Sequence, residues 1–499
     1  MRAFIEESFP IREVSEISRK EKNIRHGHIS TLHIWWARRP LASSRATSYA
    51  ALIPATNDVE EWEKRKQFII ELAKWENSLN KQIIEKARKD IIQANGKAPK
   101  VLDAFAGGGS IPLEALRLGC EVYAVEYNPV AVLILKCTLE YPQRFGKRLV
   151  EEVSKWGNWV LEEARRELKD FYPEDEIESN ALSLEMENKK ETMTPVGYIW
   201  ARTIRCQNPS CNAEIPLMRQ FWLAKKDKKK IALMPFVEGG EVKFRIVGDG
   251  YEKMPENFNP EKGTVARAIA NCLVCGSTVD DKSVRRLFQQ GKSGQRMIAV
   301  VLNSKKGKFY RIATEKDIDV YRKAEEYLEY KRAKLMEEWG IDPVPDEPTP
   351  EGKGRGAERA FSVRNFGLTT YGDLFNSRQK LALITFAEKV RKAYSKMIAE
   401  GYEEEFAKAV VSYLALALSR LTNRMSTLTY WFIPGEKVQP TFSRQALPMV
   451  WDYVEINPFN ISSGGMSTNL LDMLNALHHL TKVPPHMNAL KFLKAGLPG

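Results

Sequence analysis

The apolar positions change period several times along the chain, and each change marks an element. From Val59 to Asn95 charged and apolar residues alternate at helical spacing, with Trp62, Phe68, Ile69, Leu72, Trp75 and Ile83 apolar. This predicts one or two amphipathic helices. Lys100-Val-Leu-Asp-Ala-Phe is a short apolar strand, and a glycine turn follows it. Ser110 to Leu118 predicts a helix that Gly119 terminates. Glu121 to Glu126 predicts a second strand, and Asn128-Pro129 opens another helix that runs through Cys137. Strand, helix, strand, helix in that order is the pattern of a parallel α/β sheet.

Further along, residues 148–170 read as a long charged helix. The character then changes. Residues 195–312 hold short alternating strands and glycine turns, and Asp317 to Trp339 is a densely charged helix. Asp342 to Arg355 (DPVPDEPTPEGKGR) has the composition of a linker or mobile loop. Tyr371 to Gly401 and Glu403 to Met425 return to helical spacing, and no internal repeat is evident. A chain of 499 residues is expected to form two to four domains.

Charge adds a partner class. Lys and Arg outnumber Asp and Glu by 76 to 64, for a net charge of +12. That excess suits a polyanion such as DNA or RNA, although it also fits a bias spread over a solvated surface. No run of 18 apolar residues appears, so no membrane span is expected. Met1 to Pro10 lacks the layout of a signal peptide, which makes the cytoplasm the expected location.

The first candidate chemistry lies in Asp103-Ala104-Phe105-Ala106-Gly107-Gly108-Gly109-Ser110. Glycines between a strand and a helix let the backbone approach a ligand and take positive φ. The helix N-terminus adds unpaired N–H groups. No Lys follows the glycines, so a phosphate loop is excluded, and the Gly-x-Gly-x-x-Gly spacing of dinucleotide oxidoreductases is absent. Asp103 ends the first strand and Glu126 ends the next, 23 residues later, where an acid can take both hydroxyls of a ribose. Together they describe a nucleoside site whose turn lies beside a charged amino acid rather than a pyrophosphate.

The second lies in the cysteines. Cys120 and Cys137 are single and have apolar neighbours, as buried bystanders do. Cys206-Gln-Asn-Pro-Ser-Cys211 and Cys272-Leu-Val-Cys275 are two ligand-type turns with 60 residues between them. Four thiolates suit a closed, structural Zn2+ site; the alternative is four free thiols in small turns. Between the pairs, Arg219-Gln-Phe-Trp-Leu-Ala-Lys-Lys-Asp-Lys-Lys-Lys fits a nucleic-acid surface or a solvated hairpin tip. His26, His28 and His33 raise the idea of a metal cluster, without a carboxylate pattern near them to support it.

The glycine motif resembles the Asp-x-Phe-x-Gly-x-Gly signature of the S-adenosylmethionine (SAM)-dependent DNA methyltransferases, matched by Asp103, Phe105, Gly107 and Gly109. By that resemblance the fold is α/β, with a Rossmann-like SAM-dependent methyltransferase sheet, an inserted zinc-ribbon module and a helical C-terminal region. The cofactors are SAM and structural Zn2+. Asp103, with Ala104 and Phe105 beside it, supports the SAM ammonium, and Gly107 and Gly109 line its methionine part. Glu126 binds the ribose and Tyr127 flanks the adenine. His33-Ile-Trp-Trp-Ala-Arg-Arg-Pro-Leu is similar to a His-x-x-x-Lys-Pro-Leu segment that lines the pocket, which brings in Arg39 and Pro40. Here Arg39 replaces the lysine.

The stretch from Arg25 to Ala42 also resembles the opening of the DUF1156 proteins, described as adenine-specific DNA methylases containing a zinc ribbon. Tyr371-Gly-Asp-Leu-Phe-Asn-Ser-Arg-Gln and Trp451-Asp-Tyr-Val-Glu-Ile-Asn-Pro-Phe resemble later segments of that family. The implied organisation is a segment at 1–50 contributing to the SAM pocket and a SAM-binding core at 51–170. A zinc-ribbon and target-recognition insert at 195–312, a helix and linker at 313–355, and a helical region at 356–499 follow.

One part of the resemblance is missing. Amino-methyltransferases carry an Asp/Asn/Ser-Pro-Pro-Tyr/Phe/Trp loop that accepts hydrogen bonds from the target amine. Asn457-Pro458-Phe459 has one proline, and Val483-Pro484-Pro485-His486 lacks the polar first residue and the aromatic last. No catalytic residue is assigned. The expectation is therefore a DNA methyltransferase acting on adenine N6, with cytosine N4 as the less favoured target, or the SAM-binding half of a split one completed by a second polypeptide that carries the loop. The competing expectation is a zinc-containing DNA-recognition subunit without catalysis of its own. An RNA methyltransferase shares the glycine motif.

Overall fold

The computed structural model describes residues 2–178, 190–304, 307–354, 356–462, 464–483 and 490–492. It is a mixed α/β protein whose chain forms two compact units. One comprises Met1–Trp159, Arg391–Ala417 and Leu470–Gly499, the other Val160–Val390 and Leu418–Asn469. Among the described residues no helix is long and apolar enough to cross a membrane.

In the first unit the 59–95 periodicity resolves into two helices, Val59–Ala73 and Lys81–Asn95. Asp58 and Asn80 cap their N-termini through side-chain oxygens, and Gly96 closes the second at φ +73°. Their apolar stripes, including Ile69, Leu72 and Ile91, pack with Ala46, Ala50, Leu116 and Val122 in one core. The helix Leu41–Leu52 (LASSRATSYAAL) is rich in small residues, and Ala42, Ala46 and Ala50 are buried. Its first N–H groups, on Leu41 and Ala42, donate to the Glu21 carboxylate at 2.8 and 2.7 Å. His28 Nε2 meets the same carboxylate at 2.9 Å. Burial pushes the Glu21 carboxyl pKa up, but these partners outweigh it and hold the group below its usual range. His28 is therefore a structural partner of Glu21 and Ser30.

The strands Lys100–Asp103 and Glu121–Ala124 pair in parallel, with Lys100 opposite Glu121 and Asp103 opposite Ala124. Leu490–Phe492 continues the sheet on the far side of Glu121–Ala124, also in parallel. Among the described residues Lys100–Asp103 is thus an edge strand. The helix Ser110–Arg117 connects the first two strands, as the pattern predicts.

In the second unit the 195–312 region departs from the short-strand expectation. Pro195–Arg205 and Ser293–Ser304 are long strands, paired with each other and joined by Gly307–Ile312, Glu214–Leu217 and the distant Asp452–Ile456 in one antiparallel sheet. Pro195–Arg205 is buried along nearly all its length, so its sequence carries little alternation. The Pro-rich 342–354 segment is held rather than loose. Thr349 is buried, its hydroxyl donates to the Leu368 carbonyl at 3.0 Å, and Arg364 donates to the Thr349 carbonyl at 2.6 Å.

Asn457-Pro458-Phe459 ends the strand Asp452–Ile456 as a buried turn. The Asn457 side-chain oxygen accepts the Phe459 N–H at 2.9 Å, and Phe459 packs near Tyr172 and Phe386. Pro484, Pro485 and His486 lie outside the described residues.

Candidate functional site

The glycine loop is built by the two parallel strands. Past their last paired residues the Val125 N–H donates to the Asp103 carbonyl at 2.9 Å, and the Ala106 N–H donates to the Val125 carbonyl at 3.1 Å. The chain then turns through Gly107 at φ +50° and Gly109 at φ +78°, and Gly109 caps the helix Ser110–Arg117. Asp103 accepts the Phe105 N–H at 3.2 Å. Glu126 ties the loop to the second strand. One oxygen accepts the Gly107 N–H at 2.7 Å, and the other accepts the N–H groups of Tyr127 and Asn128 at 2.8 and 3.1 Å.

Beside this loop lies a cleft of about 390 Å3, lined by Trp35, Arg38, Arg39, Asp103, Phe105, Gly107, Gly108 and Ser110 among others. Of the sequence-predicted residues, Asp103, Phe105, Gly107 and Arg39 meet there. Ala104 is exposed in the turn, Pro40 caps the helix Leu41–Leu52, and Gly109 packs inward against Leu135. Glu126 acts on the loop through Gly107, while Tyr127 stands 75% exposed just after it.

Two lining residues were not picked out from the sequence. A Cβ built on Gly107 would stand 2.5 Å from Trp35 Nε1, so the close approach that this glycine permits is to an indole of the same chain. Arg38 is the other; burial pulls its guanidinium pKa down, partly opposed by Glu21. The double Trp and double Arg of the 33–41 segment are the signal that pointed toward them.

The cleft suits a polar ligand. Ser110 Oγ is buried without a hydrogen-bond partner and lines it, at the N-terminus of a helix. Asp103 offers a carboxylate for a cationic group, and Arg38 and Arg39 offer guanidinium groups for an anionic one. These are the donors and acceptors that an amino-acid moiety requires.

Gly109 gives a direct test of the loop. A Cβ there would meet Leu135 Cδ2 at 2.9 Å, on a backbone that already needs positive φ. Gly109→Ala is expected to cost about 1–2 kcal/mol from the left-handed conformation alone, with more from displaced Leu135. Thermal unfolding measures it, and an unchanged midpoint would refute the packing described here.

The second cluster is sulfur. Cys206, Cys211, Cys272 and Cys275 bring their Sγ atoms within 4.8 Å of one another. Cys206 and Cys275 stand 3.7 Å apart, and Cys211 and Cys272 stand 3.8 Å apart. A tetrahedral ion with Zn–S bonds of about 2.3 Å separates its sulfurs by roughly 3.8 Å. The four thiols can therefore hold a metal such as zinc. Short strands Val265–Ala266, Ile269–Asn271 and Thr278–Val279 return the second pair to the first. Gly276, at φ +75°, closes the second turn with an N–H to the Cys272 carbonyl at 2.9 Å. Among the described residues no other group of His, Cys, Asp and Glu meets the geometry of a metal site.

The basic run resolves as a hairpin tip. Lys226 and Lys229 both reach the Glu436 carboxylate, the latter at 2.7 Å, and Lys225 pairs with Glu261. Much of its charge is compensated within the fold.

Residues 8–77 match a family model described as "Protein of unknown function (DUF1156)". The matched span includes Trp35, Arg38 and Arg39 of the cleft. No curated protein matches the chain, and no solved structure matches it.

Proposed function

We propose that the chain binds S-adenosylmethionine at the glycine loop and belongs to a DNA methyltransferase acting on adenine N6, either alone or as the SAM-binding half of a split enzyme. The observation that carries this reading is the cleft itself. It joins an acid at the end of one strand, an amide-rich glycine turn, an orphaned serine hydroxyl and two arginines, while the acid just past the next strand grips the turn.

In this reading Asp103 binds the ammonium of the methionine moiety, and Arg38 and Arg39 bind its carboxylate. Gly107, with Ala104 and Phe105 before it, shapes the floor, and Pro40 fixes the direction of the arginine segment. Glu126 accepts the ribose hydroxyls, and exposed Tyr127 flanks the adenine. The bound cofactor supplies an electrophilic methyl group. The chain's own residues bind, orient and exclude water.

Among the described residues Lys100–Asp103 pairs on one side only, and this, with Leu102 63% and Phe105 92% exposed, supports a second polypeptide carrying the catalytic loop. The net charge of +12 supports DNA as the partner. The four cysteines hold structural Zn2+ in a ribbon-like module.

A second reading, a zinc-containing DNA-recognition subunit without catalysis of its own, has one observation in its favour. The Trp35 indole rests on Gly107, where the methionine part of a cofactor would lie. Calorimetric titration of SAM into the full chain separates the two. Wild type is expected to bind, and Asp103→Ala and Glu126→Ala each to weaken binding by about tenfold or more, since a hydrogen bond to a charged group contributes roughly 1.5–3 kcal/mol. A folded, metal-loaded wild type that binds DNA but no SAM would leave the recognition-subunit reading standing.

A further inference from the structure

A second cleft, of about 560 Å3, lies in the other unit beside the strand Asp452–Ile456. Nothing in the glycine-loop reading uses it. Tyr430, Trp431 and Trp451 all line it. Each ring has a distinct support. The Trp431 indole N–H donates to the Leu223 carbonyl at 2.8 Å. Trp451 is held edge-to-face by Phe366 and Phe288, at centroid distances of 5.0 and 5.9 Å. Tyr430 stands 43% exposed on a short strand paired to Lys437–Gln439.

Polar groups complete the lining. One oxygen of Asp452 accepts the Arg219 backbone N–H at 2.9 Å, and the carboxylate also feels the Arg219 charge. Burial raises the Asp452 carboxyl pKa to about 6, opposed in part by Arg219, so at neutral pH it is chiefly an ionised acceptor. Arg219 and Arg444 are exposed residues of the lining and form no salt bridge among the described residues, although the Arg219 charge acts on Asp452.

Aromatic rings, an acceptor and guanidinium groups around one cleft are together the requirements of an unstacked base on a strand. A cationic ligand would suit the rings and the carboxylate, but the two arginines oppose it.

We propose that this cleft binds one unstacked, amino-bearing nucleobase (adenine, cytosine or guanine) of a single-stranded nucleic acid. The aromatic rings stack on the base, Asp452 accepts a hydrogen bond from its exocyclic amine, and Arg219 and Arg444 hold the flanking phosphates. Thymine and uracil fit poorly, because their one edge N–H lies between two carbonyl oxygens that repel a carboxylate. The inference stands apart from the methyl-donor reading, since it uses no residue of the glycine loop.

The test is fluorescence anisotropy with short labelled homopolymers and the full chain, without SAM. Oligo(dC) and oligo(dA) are expected to bind about tenfold more tightly than oligo(dT), within the range for one good base contact. Asp452→Asn keeps the acceptor for the Arg219 N–H and is expected to erase that preference. Tyr430→Ala is expected to weaken all three by about tenfold, the scale of one lost stacking partner. Competition with cytidine monophosphate distinguishes the sources of the base. Displacement at matched nucleotide concentration would mean that the cleft serves a free nucleotide, and resistance would mean a strand; both preserve base recognition. No strand binding by wild type would overturn the proposal. So would equal affinity for oligo(dC) and oligo(dT), or wild-type affinity in both variants with unchanged thermal unfolding.

Discussion

Glu455→Ala is expected to lower the stability of its unit by about 3–5 kcal/mol, the range for breaking a buried ion pair from one side. Glu455 is fully buried on the strand Asp452–Ile456. One oxygen accepts Arg378 Nε at 2.6 Å. The other accepts Arg378 Nη2 at 3.1 Å, the Trp200 indole N–H at 2.9 Å and the Asn376 side-chain N–H at 3.0 Å. Arg378 is buried too, with its guanidinium 4.0 Å from the Tyr198 ring centroid. Removing the carboxylate leaves that cation in a dry setting and orphans two further donors. Urea unfolding checks this, and it should be run beside Glu455→Ala/Arg378→Met. If the unpaired cation causes the loss, the double variant recovers much of it. Equal losses in the two variants would assign the effect to packing instead.

Removing a metal that the four thiols can hold is expected to have the second large effect, and it is local. Structural zinc contributes about 10–16 kcal/mol of binding free energy in small zinc-dependent folds. Here the cysteine module has further support, because Cys206 and Cys272 share a core with Leu287, Phe288 and Phe366. Only part of that free energy is therefore at stake. Cys272→Ser should release about one equivalent of metal per chain, read by elemental analysis. It should also open residues between Cys206 and Val279 to protease while the rest of the chain stays protected. A wild-type protein free of metal, with that region already resistant, would show that the thiols hold the turns unaided.

The sequence made the glycine loop legible because everything it needs is local. Strand, positive-φ turn and helix follow one another; Asp103 ends the first of two directly paired strands and Glu126 lies two residues past the second. The approach of Trp35 to Gly107 is not local. It depends on the 28–40 segment folding back over a loop some seventy positions later, which no periodicity records. The cysteine pairs were legible by spacing, and their meeting needed the short strands between Val265 and Val279. The antiparallel sheet was illegible for another reason. Asp452–Ile456 pairs with Pro195–Arg205 across half of the chain, and near-complete burial removes the alternation that would announce a strand. The three rings and two arginines around Asp452 likewise come from separate segments, so the second cleft has no motif.

The division of the chain into units has a consequence for biosynthesis. The unit that begins at Met1 takes segments from Arg391–Ala417 and from Leu470 onward, so the chain crosses between units four times. On the ribosome, Leu41, Leu113, Leu135 and Leu139 emerge long before Leu480 and Val483, with which they share a core. Those apolar side chains must wait while Val160–Val390 is made. Folding proceeds against a large loop-closure entropy and exposes aggregation-prone surface in the meantime. Cellular yield is accordingly expected to follow chaperone supply and translation speed more closely than the stability of the finished protein. A fragment ending at Trp159 is likewise a poor stand-in for the glycine-loop unit.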